Sequence, residues 1–297
     1  MGMSTVILAI GDRWKTDPAL LFLQEEAKKL EVQIVHVSSP DNSKATSNPF
    51  RLESKTVAQF GRLFGVHLAA HDPDDVLVTA DVDMMVINAA SYLKGHWSGA
   101  DLRYMNSNNW GGFPVVLPNG QTKHIPHYPM SYVSAPVWVW RRLIPTNLTT
   151  PPPTPEDAIR FVMHTVSQHL KDEGALRNAL HRMGFGGDNW FMDEYLLRYL
   201  TDRLLTEDEE LAKSHPDSYK RLKVEYSGME CKLDRVCWNN DEFPIATDSH
   251  LMKLGFQHDT CIWKTLNEFW PLALPPDDVA YLRDYRLRFL KVLNARH

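Results

Sequence analysis

Apolar residues in the early part of the chain come in two alternating kinds of run. Thr5 to Ile10 is a short aliphatic, β-branched stretch that reads as a buried strand, ended by Gly11-Asp12-Arg13-Trp14. Asp17-Pro18 then marks a helix start, with an acid in capping position and Pro where its missing N–H costs nothing. Leu20, Leu23 and Ala27 recur at helical spacing and predict a helix from Ala19 to Leu30. Val32 to Val37 is a second strand, and Ser38 to Pro49, rich in Ser, Pro, Asn and Asp, is a loop. Val57, Phe60, Phe64 and Leu68 form the stripe of a helix from Leu52 to Leu68. After the turn His71-Asp72-Pro73-Asp74, Val76 to Thr79 is apolar enough to be a buried central strand. This β-α-β-α-β order predicts a parallel sheet with right-handed crossovers.

Further on the pattern is coarser. A short helix is expected near Ala89 to Leu93, and Gly95 to Gln121 reads as irregular. Tyr132 to Trp140 is an apolar strand, and Ile144 to Pro155 a stiff, Pro- and Thr-rich linker. Thr154-Pro155-Glu156-Asp157 starts a long helix to about His181, stopped at Gly184-Phe185-Gly186-Gly187. Another helix holds Asp193 and Glu194 and continues to Leu205, followed by a charged, solvated stretch to Lys223. The last helix follows Pro275-Pro276-Asp277-Asp278, with Leu282, Tyr285, Phe289 and Leu293 as its stripe.

The chemistry concentrates at the carboxyl end of the third strand, where Asp81 and Asp83 flank Val82. In open α/β sheets ligands bind beyond the carboxyl ends of strands. Two carboxylates in one small volume repel unless a cation lies beside them, and hard divalent cations take oxygen ligands. A strand running into Asp-x-Asp, with Met84 and Met85 following, resembles the metal-binding motif of GT-A glycosyltransferases. That resemblance implies a GT-A-type α/β fold, a Rossmann-like mostly parallel sheet flanked by helices, with an acceptor-binding C-terminal half. It further implies a single domain: a nucleotide-sugar-binding half over 1–94, an acceptor-binding half over 95–265 and a C-terminal helix over 266–297. The implied activity is transfer of a sugar from a UDP- or GDP-sugar donor to a hydroxyl acceptor such as a glycan, with Mn²⁺ or Mg²⁺ required.

The same resemblance assigns roles to other positions. Gly11, Asp12, Arg13 and Trp14 would meet the nucleotide base and ribose; Lys55 and Arg62, on the helix before the motif, would reach the donor's phosphate or sugar. Asp81 and Asp188 join this donor-binding set. Asp81 and Asp83 would ligate the metal, with His250 completing the sphere in preference to His258. Asp193-Glu194-Tyr195-Leu196-Leu197 resembles the acidic motif at a helix start beside the acceptor pocket, making Asp193 and Glu194 the catalytic candidates. A base must take the acceptor's proton in an inverting enzyme, whereas a retaining one needs a polar group near the anomeric carbon. The residues do not choose between these. His124 and His127, split by Pro126, are read as acceptor-side polar groups.

Composition narrows the alternatives. In a chain of 297 residues, 43% hydrophobic and 23% charged with both signs mixed, one substantial core is affordable and disorder is not indicated. A net charge of −5 without a basic run offers nothing to a nucleic acid. No apolar run approaches the ~20 residues of a transmembrane helix. Cys231, Cys237 and Cys261 show no zinc spacing and suit a reducing compartment; with no leader-like start, a cytoplasmic location is expected. Two other readings stand beside the transferase. A haloacid-dehalogenase-type phosphatase also uses Asp-x-Asp, and Gly187-Asp188 with Asp193 fits its second motif, but Met85 stands where Thr or Val is wanted. A non-catalytic sugar-binding protein would leave both acidic clusters without a purpose.

Overall fold

Two parallel strands open the molecule: β1 (Val6–Ile10) and β2 (Gln33–Val37), in register from Val6 opposite Gln33 to Ile10 opposite Val37. The computed structural model describes residues 5–10, 15–37, 58–59, 61–68, 72–80, 84–86, 99–105, 113–116, 122–125, 132–144, 192–226, 232–233, 248–250 and 261–295. Between the first strands runs α1 (Pro18–Lys29), started as expected by the Asp17 carboxylate accepting from the Ala19 N–H at 2.8 Å. Leu20 and Ala27 are buried; Leu23 is only partly so, and Glu26 is buried in its place.

The second helix is tighter and more broken than its stripe suggests. Residues 58–59 and 61 are helical, Arg62–Phe64 form a 3₁₀ turn, and α2 (Gly65–Leu68) closes the segment. Leu63 and Val66 take the buried positions. Val57 and Phe60 lie outside the described residues, as do the side chains of Phe64 and Leu68.

The third strand corrects the parallel expectation. β3 (Val76–Val78) pairs antiparallel with β8 (Val133–Pro136), which pairs antiparallel with β5 (Leu102–Tyr104), itself parallel to β9 (Val224–Tyr226). Among the described residues β3 is the edge of this four-stranded sheet, with Val76 38% exposed, and not its centre. The buried middle is β8, which offers hydrogen-bonding edges to both neighbours. β4 (Met84–Val86) belongs to a second sheet with β10 (Lys232–Leu233) and β11 (Asp248–His250), and β6 (Phe113–Val116) forms a hairpin with β7 (Thr122–Ile125). Strands β5 and β6 thus occupy a region expected to be irregular. Arg103 inside β5 and Pro114 inside β6 hide the strand pattern.

The expected strand from Tyr132 to Trp140 stops at Pro136, and α3 (Val137–Leu143) follows at once. A short apolar run cannot tell strand from helix by periodicity. Here the backbone N–H groups of Val137 and Trp138 donate to the Asp75 and Pro73 carbonyls at 2.8 and 3.1 Å, and the turn is taken. Val137, Val139, Trp140 and Leu143 are buried, and Trp140 Nε1 donates to the Leu77 carbonyl at 3.2 Å.

α4 (Met192–Ser214) outruns its expected end at Leu205. Buried Asp208 explains the extension: Tyr219 Oη donates to its Oδ1 at 2.5 Å and the Leu222 N–H to its Oδ2 at 3.2 Å, folding the following chain back onto the helix. Where one C-terminal helix over 266–297 is expected, two stand, α5 (Cys261–Ala273) and α6 (Pro276–Asn294); Tyr285 and Phe289 of α6, both on the expected stripe, pack on Phe22 of α1. Arg286 lies 3.9 Å over the Trp263 ring, joining α6 to α5. Glu26 is buried because α6 supplies its partners: Arg288 donates to both carboxylate oxygens and Tyr281 Oη to Oε2 at 2.6 Å, while Lys29 reaches Oε1 at 2.7 Å. The architecture is mixed α/β, built of helices and several small sheets, and among the described helices none is long and apolar enough to cross a membrane.

Candidate functional site

The chain passes from the four-stranded sheet to the three-stranded one between Val78 and Met84, and Asp81 and Asp83 fall in that passage of the sequence. Its entry is pinned at Thr79. The Thr79 N–H donates to the Val133 carbonyl at 2.9 Å, the Tyr132 N–H to the Thr79 carbonyl at 2.7 Å, and the Val133 N–H to Thr79 Oγ1 at 3.1 Å. Tyr132 takes the left-handed backbone region, φ 67°, to make this closure, strained for an aromatic residue. On the far side β11 lies antiparallel to β4, with Asp248 opposite Val86, Ser249 opposite Met85 and His250 opposite Met84. Met84 follows Asp83 directly in sequence, so the backbone of His250 stands beside the residue next to the second acid.

A second pairing joins two motifs read separately from the sequence. Arg62, in the 3₁₀ turn before β3, donates from Nη2 to Asp193 Oδ2 at 2.5 Å. The Asp193 side chain is 1% exposed and that of Arg62 17%. Both charges are withdrawn from water, so each depends on the other: an unpaired buried charge costs several kcal/mol. Asp193 occupies the first turn of α4, where the helix dipole also favours an acid. Glu194 is the next residue and less buried, so of the two acids it is the more open to a substrate. His67, five residues beyond Arg62, approaches the Ile144 carbonyl with Nε2 at 3.0 Å, and burial above all pulls its pKa below the ordinary imidazole value.

Of the residues singled out from sequence, Arg62, Asp193, Glu194 and His250 are described. Gly11, Asp12, Arg13, Trp14, Lys55, Asp81, Asp83 and Asp188 lie outside the described residues, as do His127 and His258. His124 sits in β7, its backbone opposite Pro114. Among the described residues no three His, Cys, Asp or Glu side chains gather at metal-binding distance, and the two acids of the motif are not among them. Sequence reasoning passed over Thr79 and the buried polar pair Tyr104 and Thr201. A threonine closing a strand just before two acids was a usable signal for the first. Nothing in the pattern distinguishes Thr201 from a solvated helix residue.

No family model matches the chain, and no curated protein matches it.

Proposed function

We propose that the chain is a metal-dependent glycosyltransferase of GT-A type, moving a sugar from a UDP- or GDP-sugar to a hydroxyl of a glycan acceptor. The observation that carries this reading is the register of β11 on β4, which sets His250 opposite the residue that follows Asp83. A C-terminal histidine beside an Asp-x-Asp run is the donor set, oxygen with imidazole nitrogen, that suits Mn²⁺ better than Mg²⁺. Asp83 and His250 would hold the cation directly, and Asp81 would act on the ribose or through water. When bound, the ion neutralises charge building on the diphosphate leaving group.

The chain's own residues supply the rest. Asp193 holds the Arg62 guanidinium in one orientation, because a buried ion pair at 2.5 Å leaves it little freedom. Its acid is thereby committed to a positioning role. Glu194, the more exposed of the two acids, would approach the acceptor or the transferred sugar. Titrating UDP and GDP calorimetrically, each with manganese and then with chelator, tests the reading. Binding of one nucleotide only with metal is expected; binding without metal, or of neither nucleotide, overturns it.

A further inference from the structure

Among the described residues, the buried face of α4 sets polar side chains into its apolar stripe. Asp193, Thr201 and Asp208 are all at most 4% exposed on it, interleaved with Leu197 and Leu204. Each polar group is met by a different element: Asp193 by Arg62, Thr201 by Tyr104 of β5, and Asp208 by Tyr219 and the Leu222 N–H. Apolar packing is non-directional and tolerates sliding, whereas hydrogen bonds between named atoms admit a single axial position.

The middle contact has a fixed direction. Thr201 Oγ1 donates its one proton to the Leu197 carbonyl at 2.7 Å, so the short bond to Tyr104 must be donated by the tyrosine hydroxyl. Both side chains are buried, and the Tyr104 ring is stacked on Tyr226 at 5.5 Å between centroids, which holds the hydroxyl in place. Thr201 is two turns from Asp193 on the same face, about 12 Å along the axis.

We propose that Tyr104 and Thr201 are a positioning pair that sets the axial register of α4, and with it the seating of Asp193 on Arg62 and the placement of Glu194. The catalytic consequence rests on the transferase reading above; the register does not. A shift of α4 along its axis would break the tyrosine bond and leave the Asp193 carboxylate buried without its guanidinium.

A double-mutant cycle in chemical denaturation, without ligand, separates the two. Residues this far apart, sharing no side-chain partner among the described contacts, ordinarily combine independently, within about twofold in the unfolding constant. Thr201→Val with Asp193→Asn is expected to depart from that product by more than about threefold. Thr201→Ser, which restores the hydroxyl, should behave as wild type against Asp193→Asn. Thr206→Val is the matched control, since Thr206 also donates to the carbonyl four residues back, at 2.9 Å, but from the exposed face; its cycle should be multiplicative. Tyr104→Phe gives the same cycle with the Thr201–Leu197 bond intact, should the valine variant not fold. Multiplicative behaviour of both Thr201→Val and Tyr104→Phe overturns the proposal, whatever nucleotide binding shows. In donor turnover, Thr201→Val should lower kcat about tenfold or more and Thr201→Ser should restore it, because a small misplacement acts on the reacting geometry.

Discussion

Arg62 and Asp193 stand 131 residues apart in the chain and meet at 2.5 Å, with the carboxylate wholly enclosed. Removing either partner alone takes the counter-ion from a buried charge. Arg62→Met or Asp193→Leu is therefore expected to destabilise by about 3–5 kcal/mol, whereas the double variant should recover much of the loss. Urea denaturation of the four proteins decides this. Single variants as stable as wild type would mean the pair is solvated in the working protein.

The metal assignment separates by function as well as by affinity. Asp83→Ala and His250→Ala should each weaken manganese-dependent nucleotide binding by about tenfold or more, the scale seen when metal-site partners are disturbed. Glu194→Ala should leave binding intact and abolish sugar transfer. Calorimetry on the three variants, with a transfer assay, checks the division; normal binding in the first two, or lost binding in the third, reverses the roles.

The phosphatase alternative makes an opposite forecast. With Asp81 as a nucleophile, the protein would hydrolyse a generic phosphomonoester and be trapped by beryllofluoride. The expected result is no such turnover, and slow release of nucleoside diphosphate from the donor. Robust phosphomonoesterase activity lost in Asp81→Asn would replace the transferase reading.

Acid should loosen the molecule at α1. Arg288 first, then Lys29 and Tyr281, hold the Glu26 carboxyl down to about 2 from its ordinary 4.5, against the opposing effect of burial. A carboxylate with a depressed folded pKa stabilises fully above its unfolded value and loses that contribution as pH falls toward the folded one. The window is therefore between about 4.5 and about 2, and at 1.36 kcal/mol per pKa unit the loss is at most about 3 kcal/mol. Denaturation midpoints of wild type and Glu26→Gln measured across this range should converge as pH falls. Parallel curves would remove Glu26 from the acid response.

How far the fold could be read depended on whether local pattern and tertiary partner agreed. The α1 start is a local event, Asp17 and Pro18 acting within one turn, and it stands where the residues put it. The Val137–Leu143 helix is not local: an apolar run serves either structure, and the carbonyls of Asp75 and Pro73 decide which. Strand direction was likewise beyond the pattern, since Val76–Val78 looks the same whether its neighbour runs parallel or antiparallel. At the candidate site, Arg62 and Asp193 were each legible as motif residues, but their meeting is a property of packing. Glu26 reads as one more acid on a charged helix until Arg288 is seen across from it.

The Glu26–Arg288 contact also orders events in time. An acid in the last turn of α1 faces the negative end of the helix dipole and opposes helix formation there. Its chief counter-charge comes 262 residues later in the chain. At roughly 5–20 residues per second, synthesis leaves α1 without that partner for over ten seconds. The final turn of α1 is therefore expected to gain full protection only once α6 is in place, and pulsed hydrogen exchange during refolding should find its amides closing together with those of α6.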